Sequence, residues 1–245
     1  MRDLDRYQAE YEALSFEAVQ VKYRKRKICE VLTRRRARRV LEVGCGLAPL
    51  FLDYTDFDVM HVVEPGARFH AIAAGLAKER ANVSVSCGTI EQVAPALAGE
   101  RLDAIVMSSL LHEVGDPMTL FAAAKTLASA ETILHVVVPN ARSFHRVLAV
   151  AMGLVDSVFA RSATQERMQQ AGLYDLETLQ ALLRRGGFDV LEAVTFFVKP
   201  FTHAQLAALY QQRFLTDQML DGLYAMSDQL PGMGSEIYAS AALAR

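Results

Sequence analysis

Short apolar runs alternate with amphipathic stretches along most of the chain. The runs at 40–43, 59–63, 83–86 and 102–107 each end at a polar or glycine-rich segment. Between them, apolar residues recur at the spacing of helices that bury one face. This alternation predicts an α/β fold with a parallel sheet, whose ligand crevice opens at the carboxyl ends of the strands.

Later parts of the chain continue this pattern with additional helix. A fifth strand is expected to end near 138, a sixth to span 188–198 and a last one to span 236–242. Helices are predicted at 147–158, at 176–185, where two glycines end the helix, and within 202–230. Helical spacing at 4–14 and 17–33 predicts a helical cap in the first 35 residues.

The first predicted strand runs into a tight turn with two glycines. Gly44 and Gly46 flank Cys45, and both can adopt positive φ and let a ligand approach the backbone. Pro49 suits the first turn of a following helix. Because a lone G-x-G is a weak signal, the surrounding residues must identify the ligand.

Two acids restrict the choice of ligand. Glu42 lies two residues before Gly44, and Glu64 ends the second predicted strand, where an acid can hold ribose hydroxyls. A negative charge at Glu42 disfavours a pyrophosphate, and with it a nicotinamide dinucleotide, but favours a cationic ligand.

The segment 42–48, Glu-Val-Gly-Cys-Gly-Leu-Ala, resembles the first motif of class I S-adenosylmethionine-dependent methyltransferases. Ala48 replaces the third glycine that many members have. Segments at 136–146, 174–176, 197–200 and 236–238 resemble a bacterial subgroup associated with surface-carbohydrate and small-molecule pathways. The resemblance covers about 200 residues, the size of one such domain.

The resemblance implies a cofactor, S-adenosyl-L-methionine, with S-adenosyl-L-homocysteine as product. It implies a Rossmann-like, seven-stranded, mostly parallel sheet with the last strand antiparallel, helices on both faces and a helical cap. The expected division is a cap at 1–35 and a methyltransferase domain at 36–245 with helical insertions near 147–172 and 202–231. The implied cofactor-binding residues are Glu42, Gly44, Cys45, Gly46, Glu64, Pro65, Gly88, Thr89, Ile90, Ser108 and Ser109.

Transfer of a methyl group to a hydroxyl also requires a proton acceptor, and histidine suits this role near neutral pH. His145 and His112 follow the fifth and fourth predicted strands, so we expect His145 as base or substrate ligand and His112 as the second candidate. A structural role stays open for each. His61 and His135 fall within strands, and His70 and His203 are expected on cap or surface helices.

Substrate contacts are expected from Asn140, from Arg146, which suits an anionic group, and from Tyr11. Tyr7, Tyr11 and Tyr23 are candidates for a lid over the cofactor, although each could instead anchor the cap.

Composition agrees with one sizeable core, since 52% of the 245 residues are hydrophobic. No apolar run is long enough to span a membrane, and the first six residues lack the apolar core of a signal peptide. Three cysteines without C-x-x-C spacing favour free thiols in a cytoplasmic protein. Cys45 is expected there for its small size rather than as a nucleophile.

Ten of the 26 basic residues fall between Lys22 and Arg39. Such density can attract phosphates, but the net charge of −2 makes a nucleic-acid partner unexpected and favours a solvated helix face.

No carboxylate or histidine cluster has metal-binding spacing, and Asp53, Asp56 and Asp58 are expected to be solvated. The apolar 147–158 segment could pack in the core, form a homodimer surface or face lipid.

These patterns predict a cytoplasmic enzyme of EC 2.1.1 type that methylates oxygen of a small molecule or sugar in a bacterial biosynthetic pathway. Two alternatives stay open: N-methylation of a small molecule, in which a neutral amine needs no strong base, and a non-catalytic scaffold that binds the cofactor.

Overall fold

The computed structural model describes residues 10, 11, 14 and 16–244. Their central feature is a seven-stranded sheet with the spatial order β3-β2-β1-β4-β5-β7-β6. The strands are β1 (Arg39–Val43), β2 (Val59–Glu64), β3 (Val83–Cys87), β4 (Ala104–Ser108), β5 (Ile133–Pro139), β6 (Phe188–Val198) and β7 (Gly234–Leu243).

Six strands run parallel and β7 runs antiparallel between β5 and β6. The carboxyl ends of β1 to β6 therefore meet at one edge of the sheet, and the start of β7 lies at that same edge. This confirms the predicted Rossmann-like sheet with its last strand antiparallel.

Helices cover both faces of the sheet. They are α1 (Glu17–Arg35), α2 (Ala67–Ala77), α3 (Ile90–Val93), α4 (Pro117–Leu127), α5 (Phe144–Ala151), α6 (Ala163–Arg167), α7 (Leu176–Arg185), α8 (His203–Gln211) and α9 (Asp217–Ala225). Short 3₁₀ helices span Leu50–Leu52, Ala94–Leu97 and Met226–Asp228.

Alternate strand residues face two separate apolar layers. Val40 and Val106 pack with α1, α2, α8 and α9 on one face, whereas Leu41 and Ile105 pack with α3, α4 and α7 on the other. Because a strand presents successive side chains to opposite faces, continuous apolar runs such as 104–107 are needed to bury both. Helix α1 is thus part of the core, with Tyr23 fully buried in it.

The predicted helix at 147–158 is wrong in its bounds. Helix α5 begins at Phe144, directly after Ser143, and ends at Ala151, because Gly153 adopts φ +69 and turns the chain. Pro49 precedes only the 3₁₀ turn Leu50–Leu52, where a longer helix was expected. The shift of α5 places His145 and Arg146 in its first turn.

Among the helices that the structure describes, none is long and apolar enough to cross a membrane.

Candidate functional site

The glycine loop between β1 and the Leu50–Leu52 turn has the geometry that its sequence predicts. Gly44 adopts φ +78 and Gly46 adopts φ +56. The N–H of Gly44 donates to the carbonyl of Val63 at 2.8 Å, which ties the loop to the end of β2. Both torsions lie in the left-handed region, where a side chain with a Cβ is strained.

Glu64 organises this loop. Its Oε2 accepts hydrogen bonds from the N–H groups of Cys45 and Gly46 at 3.0 and 3.1 Å, and its Oε1 accepts one from Gly66 at 2.8 Å. The carboxylate is buried, so these bonds replace its lost hydration. Glu64 therefore holds together the two loops that follow β1 and β2.

Glu42 is the second buried acid of the loop. Its Oε2 accepts a hydrogen bond from the N–H of Leu50 at 2.9 Å. Burial raises the pKa of its carboxyl to about 8, against the opposing effects of that hydrogen bond and of Lys25. A cation placed beside Glu42 would favour the ionised form.

The raised pKa gives a prediction for folding. Between about pH 4.5 and 8 the folded chain keeps a proton that the unfolded chain has lost, so this group reduces the free energy of unfolding as pH rises, by up to about 1.4 kcal/mol per pH unit. Glu42→Gln removes that titration and can keep the Leu50 hydrogen bond. The variant should therefore gain stability relative to the natural protein between pH 5 and 8.

Urea unfolding at several pH values checks this, because titrations elsewhere in the chain cancel in the difference between the two proteins. A difference that does not change with pH would show that Glu42 is ionised throughout that range in the folded chain.

Cys45 is buried, and burial raises the pKa of its thiol well above the usual range. Glu42 and Glu64 add to this effect. A neutral thiol is a poor nucleophile, so these surroundings favour the expected role as a small residue in the loop. Cys29, Cys45 and Cys87 are all free.

A cavity of about 120 Å³ lies against the glycine loop. Nine expected cofactor residues or neighbours of the loop line it: Glu42, Gly44, Cys45, Gly46, Ala48, Glu64, Pro65, Ser108 and Ser109. Gly88, Thr89 and Ile90 are not among its lining residues, although the N–H of Gly88 donates to the carbonyl of Glu64 at 3.2 Å. These three residues stay predicted adenine neighbours at the edge of the site.

The residues of this cavity fit S-adenosylmethionine. The two glycines leave the loop backbone open, and the carboxyls of Glu42 and Glu64 complement a ligand that carries an ammonium and a sulfonium but no phosphate. Tyr11 lies beside the loop, with its hydroxyl 3.9 Å from the position that a Cβ on Gly46 would take.

A second cavity, of about 380 Å³, adjoins the first. Tyr11, Arg24, Ser109 and Glu113 line both cavities. The larger cavity lies between α1 and the segments that follow β4, β5 and β6, and it includes His112 and His145. A ligand in one cavity would therefore adjoin a ligand in the other.

His145 and His112 both lie in the larger cavity, as the strand-edge argument predicts. Burial, Lys199 and Arg146 lower the pKa of His145 to about 3, and its Nδ1 has no hydrogen-bond partner among the described residues. His112 is buried, with its Nε2 3.7 Å from an oxygen of Glu113.

Asn140 has a structural role that its sequence position did not reveal. Its Nδ2 donates to the carbonyls of Gly232 and Gly234 at 2.9 and 2.7 Å, and its Oδ1 accepts from the N–H of Arg142 at 2.9 Å. Both amide hydrogens are thus occupied, and the carbonyl oxygen has one partner. Asn140 joins the ends of β5 and β7 and also lines the cavity, so a substrate contact through its carbonyl oxygen stays a prediction.

Arg146 also lines the cavity, but its guanidinium bonds backbone carbonyls of this chain as well. Its Nε donates to the carbonyl of Val158 at 2.8 Å, and its Nη2 donates to that of Ala160. The side chain thus holds the segment after α5 in place, which uses part of the charge that was expected to bind an anion.

The tyrosines that were candidates for a lid have different roles. Tyr11 reaches both cavities, whereas Tyr23 is fully buried and stacks on Phe197 at 4.4 Å between ring centroids. Tyr23 therefore anchors α1 and is not part of a lid. Tyr7 lies outside the described residues.

The sequence did not identify the buried polar network on the far wall of the larger cavity. Arg24 Nη2 lies 2.8 Å from Glu17 Oε1, and its Nε lies 3.4 Å from Glu236 Oε1. Gln20 Nε2 donates to the same Glu236 oxygen at 2.6 Å, and His203 Nε2 donates to Gln20 Oε1 at 3.3 Å. His203, expected on a cap or surface helix, begins α8 and lines the cavity.

One signal for this network was present in the sequence. Glu236 interrupts the apolar pattern of the last strand, and Lys199 follows the apolar end of the sixth strand. Both positions lie at the crevice edge once the sheet order is known. Arg24, by contrast, is indistinguishable in sequence from the exposed basic residues around it.

Most of the basic stretch is paired with acids on the surface. Lys25 pairs with Asp53, and Arg38 pairs with Asp56 and Asp58. Further pairs join Lys22 to Asp217, Arg26 to Glu30 and Asp221, Arg34 to Glu192, and Arg39 to Glu100. This arrangement supports an ion-paired, solvated face over a phosphate-binding stripe, and it shows that the three aspartates have partners.

Two other histidines lie within strands, as expected. His135 is fully buried with its Nδ1 2.8 Å from the Tyr238 hydroxyl, and His61 Nδ1 is 2.7 Å from Ser84 Oγ. The described residues contain no group of three His, Cys, Asp or Glu side chains placed to hold a metal ion.

Comparison with known proteins gives a family. A profile described as "Methyltransferase domain" matches residues 19–193, which is most of the chain. A comparison with curated proteins found no match.

Three solved structures illustrate the likeness in fold. The plantazolicin methyltransferase BamL, solved with a triazolic desmethylPZN analog and S-adenosylhomocysteine, is 16% identical with a TM-score of 0.56; the match covers 99% of this chain and 100% of that one. The N-methyltransferase NodS of Bradyrhizobium japonicum is 15% identical with a TM-score of 0.53, covering 91% and 97%.

The third is a Haloferax volcanii protein assigned as a methyltransferase and solved in complex with the Trm112 methyltransferase activator. It is 11% identical with a TM-score of 0.64, and the match covers 100% of both chains. The glycine loop, the two buried acids, the sheet order and the matched family profile together lead to one conclusion: the chain belongs to the class I S-adenosylmethionine-dependent methyltransferases.

Proposed function

We propose that this methyltransferase transfers a methyl group to a hydroxyl oxygen of a small molecule, with His145 as the proton acceptor. The observation that carries the proposal is the neutral, buried imidazole of His145 in the larger cavity, with no partner for its Nδ1 among the described residues. A neutral imidazole can accept a hydrogen bond, and then a proton, from a hydroxyl.

The size of the cavity supports a small acceptor. Its volume of about 380 Å³ lies in the range of small-molecule sites, and its lining combines apolar residues with many polar and charged side chains. A sugar or another hydroxylated metabolite fits this description. Membership of the bacterial surface-carbohydrate subgroup stays a prediction.

In the proposed mechanism, the residues of the smaller cavity hold the cofactor and those of the larger cavity hold the acceptor. Bound S-adenosylmethionine supplies an electrophilic methyl group on a sulfonium. Glu42, Glu64 and the glycine loop would bind it, and Tyr11 at the boundary would limit the access of water to the acceptor. Much of the rate would come from alignment of acceptor oxygen and methyl carbon.

The low pKa of His145 fits the timing of such a reaction. A hydroxyl is a weak acid until its oxygen bonds to the transferred methyl carbon and the bond from that carbon to sulfur breaks. The methylated oxygen then carries a positive charge and is strongly acidic. A weakly basic imidazole therefore orients the hydroxyl first and takes its proton late. An anion bound nearby would make the imidazole more basic, since opposite charge stabilises the protonated form.

The test replaces His145 by alanine and measures transfer of labelled methyl groups to a panel of hydroxylated and amine-bearing small molecules. We expect turnover of a hydroxylated member and about a hundredfold lower kcat in His145→Ala, at the lower end of the usual contribution of a general base. The affinity for S-adenosylhomocysteine should not change. His61→Ala, outside both cavities, is the matched control.

The remaining outcomes separate the alternatives. Turnover confined to amines, surviving loss of both His112 and His145, would favour N-methylation, the activity named for NodS. Hydroxyl methylation that survives both losses would instead show that neither histidine is the proton acceptor. Binding of S-adenosylhomocysteine without turnover of any acceptor would favour a cofactor-binding scaffold.

A cytoplasmic location and a homodimer also stay predictions. The segment after α5 exposes Met152 and Leu154, which are 62% and 68% accessible, and we propose this apolar surface as the position of a dimer contact.

A further inference from the structure

Lys199 has an unusual position in the larger cavity. It directly follows β6, is only 5% accessible and lines the cavity wall. Two residues earlier, Phe197 adopts φ +58 and packs on Tyr23, which fixes the path of the chain as it leaves the strand. Lysine is rarely buried without a partner, so its surroundings require an explanation.

The structure gives the ammonium group of Lys199 no acceptor within hydrogen-bond or ion-pair distance among the described residues. Glu17 and Glu236 attract it electrostatically but are engaged by Arg24 at 2.8 and 3.4 Å, and Gln20 donates a further bond to Glu236. Arg24 thus contacts both acids, and its single charge balances that of Glu17. Burial raises the pKa of Glu236, which favours its neutral, protonated form and leaves Lys199 without a dedicated counter-ion.

The positive charge of Lys199 acts on two histidines that line the same cavity. Burial, together with this charge, lowers the pKa of His145 to about 3 and that of His203 to about 2. This wall therefore offers a cation and two neutral imidazole rings to whatever enters the cavity.

Two helices add to this character. Helix α5 begins beside His145 and helix α8 begins at His203, and both of these residues line the cavity. The first turn of a helix carries a partial positive charge and favours an anion nearby. Lys199 lines the same cavity as the first turns of both helices.

We propose that Lys199 binds an anionic oxygen group of the methyl acceptor, so that the substrate is a hydroxylated small molecule with a carboxylate or a phosphate. This inference rests on the proposed function, because it assigns the larger cavity to the acceptor. The anion would pair with Lys199 while the imidazoles of His145 and His203 contact neighbouring polar atoms.

The electrostatics of Lys199 agree with this assignment. Burial lowers the pKa of Lys199 to about 8, so removal from water weakens its charged form. An anionic ligand would reverse that effect, because opposite charge favours the protonated amine.

The test measures binding of matched probes by calorimetry to protein saturated with S-adenosylhomocysteine. Salicylate, 4-hydroxybenzoate and phenyl phosphate carry the anion, and salicylamide, 4-hydroxybenzamide and phenol are their neutral counterparts. We expect at least one anionic probe to bind tenfold or more tightly than its neutral counterpart. The carboxylates and the phosphate also show which of the two anions the site prefers.

Three variants identify Lys199 as the source of that preference. Lys199→Met should remove it, Lys199→Arg should retain it to within about threefold because it keeps the charge, and Lys78→Met should leave it unchanged because Lys78 is exposed outside both cavities. S-adenosylhomocysteine binding in each sample shows that the variant is folded.

The proposal is overturned if neutral probes bind as tightly as their anions, if Lys199→Met keeps the preference, or if no anionic probe binds to the cofactor-loaded protein. The first and third outcomes are measured on the natural protein and do not depend on whether a variant folds. Failure of hydroxyl methylation with the anion preference intact would instead overturn the proposed function.

Discussion

Replacement of Glu64 by alanine is expected to lower the affinity for S-adenosylhomocysteine by about 10³-fold or more, which is about 4 kcal/mol. Three backbone N–H groups, those of Cys45, Gly46 and Gly66, donate to this one carboxylate. Hydrogen bonds to a charged group contribute about 1.5–3 kcal/mol each, so their joint loss disorders both loops of the cofactor site. The resemblance to methyltransferases also assigns Glu64 to the ribose, a contact that alanine cannot make.

The fold should survive this change, because the strands and the two apolar layers do not depend on Glu64. Glu64→Gln should be intermediate, since its amide oxygen can accept from the loop while its NH₂ group cannot. Calorimetry with S-adenosylhomocysteine gives the affinities, and circular dichroism shows whether each variant is folded. Glu79→Ala, at an exposed acid, is the matched control. An unchanged affinity in folded Glu64→Ala would show that the β2 acid has no part in the cofactor site.

The features that could be predicted from sequence are those set by short-range rules. The bounds of α7 follow from the Asp175 cap and from the paired glycines after Arg185, and the predicted range of 176–185 is correct. The glycine loop and the acid at the end of β2 likewise follow from local chain geometry and strand order. Helix α5 was misplaced because its apolar pattern continues past Ala151, whereas Gly153 ends it.

The walls of the larger cavity depend on contacts between distant segments, which a single sequence does not contain. Gln20 and Glu236 are 216 positions apart, yet a hydrogen bond of 2.6 Å joins them. Arg24 differs from the neighbouring lysines and arginines only because α1 turns it towards β7 and buries it. Asn140 likewise has a role that a single sequence does not reveal, since its amide bonds backbone groups of a segment about ninety positions away.

Replacement of Gly44 by valine is expected to abolish detectable binding of S-adenosylhomocysteine, again a loss of about 10³-fold or more. Gly44 adopts φ +78, and strain of that kind costs about 1–3 kcal/mol for a residue with a Cβ, with β-branched side chains worst placed to adopt it. A Cβ at this position would lie 3.7 Å from the side chain of Leu110, and both Gly44 and Leu110 line the cofactor cavity. The two branches of valine must then either enter the space for the ligand or displace the loop.

Gly75→Ala is the matched control for this experiment, because Gly75 lies within α2 and an added Cβ would meet nothing within 4 Å. That change should leave binding unaltered and raise stability slightly, by up to about 1 kcal/mol, since alanine is the better helix former. Loss of binding in folded Gly44→Val with retention in Gly75→Ala would locate the cofactor at the glycine loop. Equal binding by both variants would mean that the loop backbone does not contact the cofactor. The assignment of Glu42 and Glu64 to the cofactor site would then be wrong as well.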